Sequence, residues 1–172
     1  MKASEIKDYL KNAYAYRTSS IFIPEYTWGD LRIDALIVDT SKRWIRGFEI
    51  KVSRADFIQD DKWVLYSQFC SSISIVCPAE VVRPEEVKKP FGLLWLVPSK
   101  YGNAGIGADP TMGYHLSWKK KPMNFQRRDA LAWFWTYTHV LEMELLRLDR
   151  EAADLRHTIR YRDRRAAADT GN

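Results

Sequence analysis

Residues 31–57, "LRIDALIVDTSKRWIRGFEIKVSRADF", restrict the fold more than any other stretch of the chain. Two β-rich runs, "LRIDALIVD" and "RWIRGFEIKV", flank "TSK", and so short a connection joins neighbouring strands as an antiparallel hairpin. The second run hands over at once to a helix. Ser53-Arg54-Ala55-Asp56 is the short-acid form of a capping box, whose hydroxyl and carboxylate each accept a backbone N–H left free by the first turn. The spacing predicts this helix over Arg54 to Phe69, with Phe57, Ile58, Val64, Leu65 and Phe69 packed on the sheet. Side chains alternate along a strand, so Phe48, Ile50 and Val52 share one face while Glu49 and Lys51 share the other. The hairpin brings Asp34 and Glu49 into one neighbourhood, in a register that sequence leaves open.

Upstream, "SEIKDYLKNAYAY" has helical spacing, with Ser4 as N-cap and Ile6, Leu10, Ala13 and Tyr14 on one side. "SSIFIPEYTW" is β-rich and ends at the turn Trp28-Gly29-Asp30. Downstream, "SISIVCP" predicts a buried central strand and "FGLLWLVPS" the final strand. "PEEVKK" amounts to a turn, and "YGNAGIGADPTMGY" to a mobile loop that lacks the Gly-Lys-Ser/Thr of a phosphate cradle. The order helix, three strands, helix, strand predicts an α/β domain with a mixed sheet over residues 1–122. From about Phe125 the pattern changes. Leu131, Phe134, Thr138, Leu141, Leu145, Leu148, Ala152, Leu155 and Ile159 alternate spacings of three and four, a heptad seam. It predicts a long C-terminal helix over 123–166 and a flexible tail over 167–172. The "WFWTY" segment is expected to pack on the parent domain; beyond Leu141 the helix either pairs with a second copy or folds back as a lone amphipathic helix.

The 46% apolar and 13% aromatic content is that of a folded chain. No apolar run nears the roughly 20 residues a bilayer requires, and "MKASEIKDYL" lacks the apolar region of a signal peptide. Cys70 and Cys77 are the only cysteines and read as small buried residues of a reducing compartment. With His115, His139 and His157 they have no zinc-ligand spacing. The expectation is therefore a cytoplasmic protein with no membrane partner. The net charge of +5 suits a polyanionic partner. Lys119, Lys120 and Lys121 with Arg127 and Arg128 form a run without an acid, though a solvated face explains such a run equally well.

Acid-x-lysine occurs four times: Glu5-Ile6-Lys7, Glu49-Ile50-Lys51, Asp60-Asp61-Lys62 and Glu86-Val87-Lys88. Only the second sits on a strand beside another acid-bearing strand. Two adjacent carboxylates repel unless a cation lies between them, and hard Mg²⁺ (or Mn²⁺) is the usual tenant when phosphate is the substrate. Asp34 and Glu49 would hold it with the Ile50 carbonyl, and Lys51 would orient the attacking water or stabilise charge developing on phosphorus. The competing reading makes Asp34, Glu49 and Lys51 an ion-paired polar sheet face.

This arrangement resembles the PD-(D/E)XK nuclease superfamily over roughly residues 1–98. More narrowly, "RIDALIVD" with "GFEIKVSRADFIQDDKWVLY" resembles the MmcB-like DNA repair family, with its Arg-x-Asp strand and Glu-x-Lys-x-Ser-x-x-Asp-Phe run. Ile33 stands where the superfamily's proline would be. The resemblance implies a restriction-endonuclease-like core, α-β-β-β-α-β, and a metal-dependent DNA nuclease. By position, Asp34, Glu49 and Lys51 match the catalytic acid, second acid and lysine. Lys62 and Tyr66 match helix positions that often face the site, the alternative being contact with the DNA backbone or the sheet. Glu5 or Glu25 fits an outer metal ligand, against the favoured reading of each as a solvent-exposed acid. Arg54, Lys119, Lys120, Lys121, Arg127 and Arg128 would grip DNA phosphates. The alternative is a catalytically silent DNA- or partner-binding module on the same fold, dimerised by its helical arm.

Overall fold

The computed structural model describes residues 1–15, 19–60, 62–99, 113–125 and 130–169. Contacts divide the chain into two units, Met1–Trp133 and Phe134–Asn172.

The first unit begins with helix α1 (Ala3–Ala15) and strands β1 (Ser20–Trp28), β2 (Leu31–Asp39) and β3 (Trp44–Ile50). Helix α2 (Arg54–Gln59) and a 3₁₀ segment (Lys62–Gln68) lead to β4 (Ser72–Pro78), β5 (Gly92–Pro98) and β6 (Tyr114–Lys120). The six strands form one sheet in chain order, β1 to β6. β1–β2, β2–β3 and β5–β6 pair antiparallel, whereas β3–β4 and β4–β5 are parallel. The expected β2–β3 hairpin is present, and Ala35 lies opposite Phe48. β4, buried along nearly its whole length, is a central strand as its apolar run predicts.

α1 lays Ile6, Tyr9, Leu10 and Tyr14 over one sheet face, against Ala35, Ile37, Phe48, Ile50, Val76, Leu94, Leu96 and Leu116. Burying each such aliphatic side chain favours the fold by about 1.5–3 kcal/mol. The other face is covered beside β2 and β4 by the 3₁₀ segment and the residues after it, where the Phe69 ring lies 5.7 Å from Tyr26 and 5.9 Å from Trp28. Gly47 is required here. A Cβ on it would meet Ile33 Cδ1 at 2.5 Å and Cys70 Sγ at 2.7 Å.

Ile33 therefore lies on the face away from α1, whereas Ala35 lies towards it. Strict alternation would put both on one face. The β1–β2 register skips the position of Glu25 and Asp34, and Glu25 has the left-handed φ of 53°. The strand pair is wrung at this point, and Asp34 sits on the twist.

Three sequence expectations are corrected. The helix over Arg54 to Phe69 is two pieces, because Asp60 is extended (φ −116°, ψ 118°). Its carboxylate bonds the Lys62 N–H at 3.0 Å and Lys51 Nζ at 2.5 Å, which closes the helix. As a result Ile58, Val64 and Leu65 are exposed rather than packed on the sheet, while Phe69 is buried. Second, β5 is not the last strand: β6 follows and seats Leu116 in the core. The Gly-rich segment before β6 lies largely outside the described residues. Third, residues 121–125 are not helical. Their backbone is committed elsewhere, Met123 N–H to the Pro90 carbonyl at 2.8 Å and Phe125 N–H to that of Ser71 at 3.0 Å.

Helix α3 (Ala130–Asp169) has 40 residues, is about 60 Å long and supplies the described part of the second unit. Arg147 bridges Glu144 and Glu151, one turn away on either side. Leu145, Leu148, Leu155 and Ile159 of the heptad seam are exposed. The expected packing of "WFWTY" falls mainly on side chains outside the described residues, and the tail expected from residue 167 is helical to Asp169.

Candidate active site

The site forms where β2 and β3 part. Ladder pairing stops at Ala35–Phe48. The next group on β3 able to donate across the gap, the Ile50 N–H, bonds the Asp34 carboxylate (Oδ2) at 2.8 Å instead of a backbone carbonyl. β3 keeps its other neighbour, since Lys51 N–H bonds the Val76 carbonyl at 2.9 Å. An acid thus replaces a ladder bond and opens a fork with Asp34 on one side and Glu49 on the other.

Glu49 and Lys51 project to the same side, and Lys51 Nζ lies 3.1 Å from Glu49 Oε1. Both are buried, Glu49 6% and Lys51 2% exposed. Lys51 Nζ also lies 2.5 Å from Asp60 Oδ2 and 3.9 Å from Asp56 Oδ1. The capping box supplies Asp56: Ser53 Oγ accepts the Asp56 N–H at 3.2 Å and Asp56 Oδ2 accepts the Val52 N–H at 3.1 Å. The break in the helix supplies Asp60. Burial disfavours the Lys51 ammonium, but its bonds to Asp60 and Glu49 outweigh this and hold its pKa above the ordinary lysine value.

Glu49 experiences the opposite balance. Burial and the nearby Asp34 charge push its carboxyl up to about 7 despite Lys51. Its Oε2 is buried with no hydrogen-bond donor among the described residues. A buried acceptor without a partner is costly, and a cation between Asp34 and Glu49 would relieve both the orphaned oxygen and the repulsion. The donor set therefore fits a hard divalent ion that keeps most of its waters. Among the described residues no group of three or more acids, histidines or cysteines forms a ready-made cage.

The other candidates separate. Tyr66 comes to the site, buried, with its hydroxyl donating to the Arg32 carbonyl at 2.6 Å. Burial and the charges of Glu49, Asp60 and Asp34 push its pKa up. The side chain of Lys62 is exposed. Glu25 lies opposite Asp34 and is joined to Lys7 Nζ at 2.5 Å. Glu5 accepts the Lys2 N–H at 2.5 Å and lines a surface cavity of about 410 Å³ beside Tyr114. Arg54 is bound through its guanidinium to Glu86, whose carboxyl that contact holds down at about 2. Lys119 Nζ lies 4.9 Å from the centre of the Trp95 ring, Lys120 donates to the Val87 carbonyl, and Lys121 is exposed. Arg127 and Arg128 lie outside the described residues.

Sequence reasoning missed Asp60 and Lys7. Asp60 carried a signal, an acid next to another in "QDDKW" at the end of a short amphipathic stretch. Lys7 belongs to the first Glu-Ile-Lys, where the acid drew attention instead.

No family model matches the chain, and no curated protein matches it. Among solved structures, the fold is similar to that of the SPO1766 protein of unknown function from Silicibacter pomeroyi. The TM-score is 0.64 at 20% identity, covering 86% of this chain and 90% of that one. At that identity the likeness concerns the fold alone: an α/β chain with a six-stranded mixed sheet and a C-terminal helix.

Proposed function

We propose that the protein is a metal-dependent deoxyribonuclease with a restriction-endonuclease-like core, related to the PD-(D/E)XK nucleases and most closely to the MmcB-like family. The observation that carries this reading is the buried Glu49, with one oxygen unpartnered and its pKa raised beside Asp34, next to the ammonium of Lys51. An ion-paired polar sheet face has no use for an orphaned carboxylate oxygen in a buried setting. The order α1-β1-β2-β3-α2 followed by β4, within one mixed sheet that β5 and β6 extend, supports this reading.

Asp34 and Glu49, with the Ile50 carbonyl, would hold Mg²⁺ or Mn²⁺. The ion, when bound, supplies charge that offsets the scissile phosphate and acidifies a water. Lys51, held by Asp60 and Glu49, keeps its proton and presents a fixed positive charge towards the phosphoryl oxygens. The Ile50–Asp34 bond keeps the Asp34 carboxylate in place. Lys121, exposed beyond β6, would contact backbone phosphates without reading bases. The exposed heptad seam of α3 supports pairing with a second copy.

One observation favours a second reading, a DNA-binding module that does not cleave: Lys51 is tied to Asp60 at 2.5 Å. The test is cleavage of supercoiled, linear, nicked and branched DNA in Mg²⁺ or Mn²⁺ against EDTA. Wild type should cleave only with metal, and Glu49→Ala and Lys51→Ala should lose at least about a hundredfold in rate. Wild type as inert as both variants, with equal DNA binding, would leave only the second reading.

A further inference from the structure

Lys7 lies at the fork although the packing of α1 does not require a lysine there. The helix meets the sheet through Ile6, Tyr9, Leu10 and Tyr14. The Lys7 side chain is nonetheless only 17% exposed, with Nζ 2.5 Å from Glu25 Oε1 and 4.0 Å from Asp34 Oδ1. Its bond and charge hold the Glu25 carboxyl below its usual range. Asp34 uses its other oxygen, Oδ2, for the Ile50 N–H, so Oδ1 is the oxygen that faces Lys7. Two chains of charge thus flank the fork, Glu25–Lys7–Asp34 and Glu49–Lys51–Asp60.

We propose that Lys7 is the built-in counter-ion of Asp34: it neutralises that carboxylate in the metal-free protein and thereby sets how tightly a divalent cation is held at the Asp34–Glu49 pair. This rests on the nuclease reading of the pair. The physical argument is repulsion between an ammonium fixed beside one ligand oxygen and the incoming ion. At about 6 Å, even with the dielectric of bulk water, a single and a double positive charge repel enough to change affinity roughly tenfold. Glu25, held at the register gap by the twist of β1, keeps Lys7 from swinging away when the ion arrives.

The test is calorimetric titration of the full chain with Mn²⁺, comparing wild type, Lys7→Met, Lys7→Arg and Glu49→Gln. Lys7→Met should bind Mn²⁺ roughly tenfold more tightly than wild type. Lys7→Arg, which keeps the charge, should stay within about twofold of wild type on the same argument. Lys7→Met binding no tighter than wild type, while Glu49→Gln loses Mn²⁺, would overturn the role of Lys7 and leave the metal pair standing. Lys7→Arg binding as tightly as Lys7→Met would trace the effect to packing rather than charge and overturn it too. Glu49→Gln binding Mn²⁺ like wild type would remove the metal pair, and the Lys7 proposal with it.

Discussion

Glu49 should make the fold depend on pH in a window where few other groups act. Its carboxyl titrates near 7 in the folded chain against 4.5 as its ordinary value. Between those values the folded state holds a proton that the unfolded state has lost. Stability is therefore greatest below about pH 4.5 for this group and falls as pH rises through 7. The full loss is on the order of 3 kcal/mol. Asp60, Glu25 and Glu86, all shifted down, act below this window, and Lys51, shifted up, acts above it. Urea unfolding in EDTA from pH 5 to 8 should show the midpoint falling in wild type and nearly level in Glu49→Gln. A level wild-type profile would mean that Glu49 ionises like an exposed acid. Gly47 gives a purely steric prediction. Its Cβ would collide with Ile33 and Cys70 in the core, so Gly47→Ala should cost about 1–3 kcal/mol, read as a lower urea midpoint at constant slope.

At the level of elements, the interruption between α2 and the 3₁₀ segment ties the helix to the site. Asp60 leaves the helix and meets Lys51 at 2.5 Å. Asp60→Asn keeps the shape but removes the charge, leaving the buried Lys51 to Glu49 and, at 3.9 Å, Asp56. Because Asp60 is partly exposed, the expected loss is modest, roughly 1–2 kcal/mol. A misplaced Lys51 would also slow the proposed DNA cleavage by roughly ten- to a hundredfold. Unchanged cleavage and stability in Asp60→Asn would show that Glu49 and Asp56 position Lys51 without Asp60. For α3, the exposed Leu148 and Leu155 occupy one seam. If that seam joins two copies, light scattering should give twice the chain mass for wild type and the single mass for Leu148→Glu with Leu155→Glu. A wild-type monomer would leave the seam without a second copy.

For the whole molecule, if DNA is bound as proposed, the basic chain of net charge +5 should show an affinity that falls steeply with salt. The three consecutive lysines should contribute unequally. Lys120 is tied to the Val87 carbonyl and Lys119 sits over Trp95, whereas Lys121 is exposed. Lys121→Ala should reduce the slope of log affinity against log salt by about 0.9, one phosphate contact. Lys120→Ala should act mainly on stability. Equal slopes for both variants would mean that the path of DNA lies elsewhere. Among the described residues no helix is long and apolar enough to cross a membrane.

Local rules were sufficient for much of this chain. The short "TSK" connection, the Ser53 cap and the three-four spacing from Leu131 to Ile159 dictated the hairpin, the start of α2 and the long helix, because each depends on groups a few residues apart. Asp34 and Glu49 were legible as neighbours because a short turn joins their strands, and Glu49 and Lys51 as one face by alternation along β3, whereas the twist that carries Asp34 was not. What only the tertiary structure decided depends on distant partners. β6 carries only a brief alternation, Tyr114, Leu116 and Trp118, behind a glycine-rich stretch, and its pairing with β5 completes the sheet. α2 stops where an acid can reach a buried lysine nine residues earlier in the chain. Lys7 reaches Asp34 only because β1 twists at Glu25 and α1 crosses that face of the sheet. Sequence sets which groups are available, but the energy of a buried charge depends on what the fold places around it.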